Sequence, residues 1–203
     1  MTGDQQPDRC RVVLDALFEH LAWLHHFWRM YVALFGTVPD RFDVYNKRTP
    51  HIFGLLEKTL RECILLELAK LLGHHESAGH RVVSIERAIV DLPLGNEDQR
   101  TRELRGKAHE LKKKHRTIIA YRDRSIAHND LAVATKAVSL NGVSRAMMKE
   151  AVDDCVALLN EVLRTYNDSE YGFIDDGGEE DDVQVLLKIL ELGNEELDRQ
   201  DTE

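Results

Sequence analysis

No stretch of this chain approaches the roughly 18 consecutive apolar residues that a membrane-spanning helix requires, so nothing in it is expected to cross a bilayer. Its N-terminal MTGDQQPDRC puts acids and polar residues where an export signal needs a basic start and an apolar run, which makes the cytoplasm the expected location. Cysteine is scarce: Cys10, Cys63 and Cys155 are an odd number at long spacings inside apolar-periodic stretches, a pattern of small core residues in a reducing compartment. Sustained period-two alternation is missing, and the single Asn141-Gly142 pair stands before a helix instead of between β-branched runs, so strands are not expected. There is no Gly-rich loop followed by Lys-Ser or Lys-Thr, which removes the phosphate-cradling nucleotide folds. "HHESAGH" falls short of a zinc-protease helix, because His75 and His80 are five apart with Gly79 between them, where that chemistry needs four and a helix. Carboxylates cluster mainly in the tail, where nothing would hold two metal ions in register.

What the chain does have is helical rhythm. Leu14, Leu17, Leu21, Leu24, Trp28, Tyr31 and Phe35 recur at three- and four-residue steps, predicting a first helix from about Asp8 to Phe35 that Gly36 ends. Residues 37 to 49 form a connection with a short helical turn around Asp40 to Asn46, after which Thr49 as N-cap and Pro50 open a second helix to Leu72. That helix is apolar over most of its circumference, from Ile52 through Leu60 and Cys63 to Leu72, and is expected to be the buried centre. Ser84 caps a short helix to about Leu92, a basic helix starts near Asn96, and Ser144 caps a long one to about Tyr166 on the face Met147, Ala151, Cys155, Leu158, Leu159 and Val162. The fold class is all-α: a bundle of four principal helices with short extras over residues 1–167, then an acidic linker and a short amphipathic segment, Val183 to Leu192, within 168–203.

Charge is unevenly spread. The whole chain is at −9, but residues 168–203 hold 14 acids against Lys188 and Arg199, a net of −12, which leaves +3 on the first 167 residues. Within those, Gln99 to Arg124 carries ten Lys or Arg against Glu103, Glu110 and Asp123, a net of +7. A run of this kind serves either a solvated helix face or a surface that tracks phosphates. Arg105, Lys112, Lys113, Lys114, Arg116 and Arg124 are the residues of that segment that would form such a phosphate-tracking surface.

The apolar seam of the basic helix runs Leu104, Ala108, Leu111, His115, Ile118, and the next position in its rhythm is Arg122. A guanidinium in a core position is costly unless it is paired or lines a wet cleft, so Arg122 should either meet an acid such as Asp123 of a second chain or face water. His128 adds a second constraint. Six residues of regular helix advance about 600° and rise about 9 Å, so Arg122 and His128 would point about 120° apart and could not share a ligand. Either the helix breaks near Ser125 to Ala127, or a symmetric dimer lines one cleft with residues of both chains.

Arg122-Asp123, five intervening residues and His128, framed as "AYRDRSIAHND", resemble the signature of the HEPN superfamily of α-helical domains, in particular its abortive-infection U-type subfamily. "YVALFG", "PHIFGLLEKTL" and "LLELAKLLG" extend the similarity over about residues 27 to 166, with Lys70 standing where members of the subfamily often have arginine. The resemblance implies a metal-independent, cofactor-free endoribonuclease that works as a homodimer. His128 would be its general acid or base, Arg122 its phosphate clamp and Asp123 an orienting group. It also leaves two non-catalytic alternatives. In one, Arg122, Asp123 and His128 form a structural network at a dimer interface, with the acidic tail as a docking or self-inhibiting mimic of nucleic acid. In the other, the chain is a nucleotide-binding module that partners an antitoxin or a separate nucleotidyltransferase.

Overall fold

The computed structural model describes residues 8–36, 39–77, 79–127, 142–172 and 178–202. Among them the chain is all-α. It forms α1 (Arg9–Phe35), α2 (Pro39–Arg48), α3 (Pro50–Leu71), α4 (Ile85–Val90), α5 (Gln99–Lys114), α6 (Arg116–Tyr121), α7 (Arg145–Asn167) and α8 (Gly178–Gln200). A π-helical turn, Arg122–Ala127, follows α6 directly. Glu76–Ser77 and His80–Arg81 pair antiparallel as a two-residue hairpin in the loop after α3.

The chain divides into two compact units, residues 1–24 with 65–172 and residues 25–64 with 173–203. The first contains the start of α1, the end of α3, and α4 to α7. Its core is built from the leucine ladder of α1 (Leu14, Leu17, Leu21, Leu24), Leu65 and Leu68 of α3, Ile85 and Ile89 of α4, Leu104, Ile118, and the inward face of α7. α4, α5 and α7 pack on one another, burying the stripe that three- and four-residue spacing predicts. On α7 the inward methionine is Met148, fully buried, and not Met147, which is half exposed. Met148, Ala151, Cys155, Leu158 and Leu159 share one face, and Met147 lies one position off it.

Caps decide several ends. Ser84 accepts from Arg87 N at 3.1 Å, Asp98 accepts from Arg100 N at 2.8 Å, and Ser144 accepts from Met147 N at 3.2 Å, each satisfying an otherwise orphaned amide of a first turn. Thr49 behaves differently from expectation. Its hydroxyl donates backward to Tyr45 O at 3.2 Å, closing α2, while only its carbonyl serves α3 by accepting from Phe53 N.

The second unit comprises the end of α1, α2, the start of α3, and α8. Here α2 is a ten-residue helix where a short turn was expected. Tyr45 anchors it: the side chain is 1% exposed, its hydroxyl donates to Leu34 O at 3.1 Å, and its ring stacks on Phe53 with centroids 3.9 Å apart. Gly36 makes the preceding exit possible, since its amide donates to Val32 O at 2.8 Å and a Cβ there would lie 2.4 Å from that same oxygen. α8 packs on α2, and on it Val183 and Leu187 are buried. Its far end is tied down by Lys47 and Arg48, which pair with Asp198, and by Arg48 with Asp201 at 2.5 Å. The helix spans 23 residues, well beyond the segment Val183 to Leu192 read from periodicity.

α3 is buried mostly in its second half, with Phe53 and Leu60 the buried residues before it. Ile64, Leu65, Leu68, Ala69, Leu71 and Leu72 are inside, whereas Ile52 and Leu55 are exposed by 65% and 66%, so its first turns are not the centre of a bundle. Cys10 and Cys155 are buried and Cys63 is partly so. Burial pushes the Cys10 thiol up to about 12 and raises that of Cys155 further, so neither is a nucleophile near neutral pH.

Candidate functional site

Two successive changes of backbone shape the site. α5 runs regularly to Lys114, where His115 closes it and Ile118 N already bonds back to His115 O at 3.0 Å, a tight turn that re-aims the chain. α6 then lasts six residues and gives way at Arg122 to the wider π-helical winding. The chain therefore changes its winding at Arg122, the residue at which the apolar seam ends, and the wider turn runs through Ser125 to Ala127, where a break was one of the two arrangements considered.

Much of the positive charge of α5 is spent on α7. Glu161 accepts from Lys107 at 2.6 Å and from Arg100 at 3.0 Å, and seven residues earlier Asp154 takes Lys114 at 2.7 Å and His115 at 2.7 Å. Glu150 adds a second partner for Lys114 at 2.8 Å. Burial alone would raise the Asp154 carboxyl, but Lys114 and His115 together outweigh it and hold that group below the ordinary aspartate range. For Glu161 the hydrogen bond from Lys107 leads, with Arg100 assisting, and the carboxyl is likewise held down. These pairs fix the basic helix on its neighbour. They also remove Lys114 from any free phosphate-binding row.

The remaining members of that row point in several directions. Arg105 bonds Asn96, Lys113 sits 3.9 Å from Glu110, Arg116 is exposed, and Arg124 is half-buried in the π-helical turn. Only Lys112 of the six lines the same cleft as Arg122 and Asp123. His128 lies outside the described residues.

That cleft, within the first unit, measures about 680 Å³. α3 contributes Leu66, Ala69 and Lys70, the following loop His74 and Val82, α6 Ile119, and the π-helical turn Arg122 and Asp123. Arg122 Nη1 lies 3.0 Å from Asp123 Oδ1, so the pair forms within one chain. Its Nε is buried without a hydrogen-bond partner among the described residues. Lys112 is pushed below the ordinary lysine range by burial, opposed by Glu86 and Asp123. Lys70 is anchored: its ammonium sits 2.6 Å from the buried Glu67, whose other oxygen meets His20 Nδ1 at 2.8 Å.

Lys70 and His74 were not among the residues singled out from the sequence, since they belong to a different helix end and a loop. The one signal was the lysine in "LAKLLG". In the loop after α3, His74 and His75 reach Glu86 at 3.4 and 3.5 Å. Among the described residues no three His, Cys, Asp or Glu side chains gather as a metal-binding group, and no described helix is long and apolar enough to cross a membrane.

A cleft with an aliphatic wall, an ammonium and a guanidinium is suited to a phosphate-bearing ligand. The family model for AbiU2, a HEPN domain, matches residues 11–186. No curated protein and no solved structure matches the chain.

Proposed function

The chain belongs to the AbiU2 family of HEPN domains, an abortive-infection family, and from that premise we propose that it is a metal-independent endoribonuclease acting as a homodimer. The observation that carries the reading is the position of Arg122: it ends an apolar seam, begins a π-helical turn, and opens onto a cleft that Lys112 shares. RNA supplies its own nucleophile. A base, assigned to His128, takes the proton of a 2′-hydroxyl; the 2′-oxygen bonds to phosphorus as the bond to the 5′-oxygen breaks. The leaving oxygen takes up a proton, and the products carry a 2′,3′-cyclic phosphate and a 5′-hydroxyl. An imidazole titrates near neutrality and suits either proton step. Arg122 offers the planar donor pair that a phosphorane's developing charge needs.

The assay uses the purified full chain on total RNA with a chelator present. Arg122→Ala and His128→Ala should each lower the cleavage rate by about 10²–10⁴-fold, the range for loss of a proton-transfer or charge-stabilising group. Cleavage that survives both substitutions would sink the assignment. The pairing of Arg122 with Asp123 in the same chain favours a second reading, a non-catalytic interaction module in which the motif is structural. That reading predicts no cleavage by the parent protein and a dimer that Arg122→Ala dissociates.

A further inference from the structure

The cleft beside Arg122 is much larger than one phosphate. At about 680 Å³ it falls inside the span of roughly 300–1,000 Å³ typical of small-molecule sites. Its two sides differ in chemistry. Leu66, Val82 and Ile119 supply an aliphatic wall, and Lys112 and Arg122 bring the positive charge.

Three cationic residues line the cleft and must be told apart. Lys70 is already neutralised by Glu67, which is 8% exposed and also bonded to His20, so its ammonium serves an internal network. Lys112 is half-buried, and no carboxylate of the described residues lies within ion-pair distance of it. A partly desolvated ammonium without a partner is costly, and an anion entering the cleft would relieve that cost. Arg122 gives Asp123 one of its nitrogens and leaves a buried Nε with no acceptor among the described residues. Among the described residues, Lys112 thus lacks an anionic partner and the Arg122 Nε an acceptor, and both residues line the cleft.

We infer that the cleft seats the nucleotide flanking the scissile phosphate, with Lys112 holding that nucleotide's own phosphate and the Leu66, Val82 and Ile119 wall covering its base. The inference rests on the ribonuclease reading for the identity of the strand. No aromatic side chain is among the described residues lining the cleft, so the base gains aliphatic contact and not the stacking that sequence-tolerant single-strand binders use. Lys112 is therefore a positioning residue, and Val82 sets how large a base fits.

Binding is tested with the full chain by titrating adenosine 3′-monophosphate, adenosine and inorganic phosphate in separate calorimetric experiments. The mononucleotide should bind at least ten-fold tighter than either fragment. Lys112→Gln and the cleft-filling Val82→Trp should each weaken it by ten-fold or more, with circular dichroism confirming that both variants fold. A mononucleotide no tighter than phosphate, or unaffected by both substitutions, overturns the inference. A 2′-O-methyl oligoribonucleotide should displace the bound mononucleotide; failure to compete overturns the assignment to a strand.

Kinetics separate this inference from the reading beneath it. Lys112→Gln should raise KM for RNA by at least ten-fold more than it lowers kcat. Parent-like KM in Lys112→Gln, with cleavage intact, removes the subsite and leaves the ribonuclease. Tight, Lys112-dependent binding of mononucleotide and oligonucleotide by a protein that does not cleave keeps the subsite and removes the ribonuclease.

Discussion

Arg122 and Asp123, adjacent in sequence, face each other at 3.0 Å from the first two positions of a π-helical turn. Neither side chain is fully buried, so the pair is worth little to stability. Its importance is that the carboxylate occupies one edge of the guanidinium that a phosphate would use.

Replacing Asp123 with Asn should therefore tighten binding of non-cleavable RNA. Exposed pairs contribute about 0.2–1 kcal/mol, which corresponds to a gain of at most about five-fold. Fluorescence anisotropy at low and moderate salt measures it, and the gain should shrink as salt rises. Weaker binding in Asp123→Asn would mean that the carboxylate aligns Arg122 for the ligand and does not compete with it.

A second expectation concerns the joint between α5 and α6. His115 is 4% exposed and its Nε2 has Asp154 as partner, so Asp154→Ala leaves a buried ring nitrogen unsatisfied at a cost of about 1–3 kcal/mol. Urea unfolding at neutral pH should show that loss. Because the folded protein holds the Asp154 carboxyl below its ordinary value, its contribution is fully present above the unfolded aspartate range. It disappears as pH falls through the lower, folded value, so parent and variant should converge in acid.

In the second unit, Tyr45→Phe removes only the hydroxyl that reaches Leu34 O and keeps the stack on Phe53. The expected loss is about 0.5–1.5 kcal/mol. A larger loss would indicate that the ring itself has moved, which near-ultraviolet circular dichroism would report.

The acidic tail needs a gentler test than deletion. Removing residues 168–203 would take away the helix that packs on α2 together with its ion pairs, so any change in RNA affinity would be confounded. Neutralising Asp181, Asp182, Glu191 and Glu195, all exposed, keeps the helix. If the tail competes electrostatically with RNA, affinity rises at low salt and the difference closes at high salt. Unchanged affinity across the salt series excludes that role.

Gly193 lies inside α8, where an added Cβ would meet nothing within 4 Å. Gly193→Ala should stabilise the chain by about 0.5–1 kcal/mol through helix propensity and a less flexible unfolded state. Thermal unfolding of the two forms gives the comparison.

What could be read from the sequence was local. The leucine ladder of α1 and the caps Ser84 and Ser144 follow from short-range spacing and side-chain chemistry, and the structure has them where spacing puts them. Arg122 was legible as a break in a seam. α8 was underestimated because Gly193 and a run of acids interrupt its apolar period, although its C-terminal end is held by ion pairs to α2 that no local pattern contains. The neutralisation of α5 by Asp154 and Glu161 was equally hidden. A count of charges in one segment cannot show partners 40 or more residues away on α7. Lys70 and His74 join the cleft through the meeting of α3's end with α5 and α6, a long-range relation as well.

The π-helical turn has one further consequence, which concerns inheritance more than chemistry. Such a turn holds one more residue than the α-helical path it replaces. Losing a single codon between Asp123 and Ile126 would let the ladder close as ordinary α-helix, narrowing the turn that Arg122 and Asp123 open without disturbing the core behind it. A one-residue deletion at Ser125 would then be a reading-frame-sparing lesion: a protein that folds, yet whose Arg122 and Asp123 no longer stand in a wide turn.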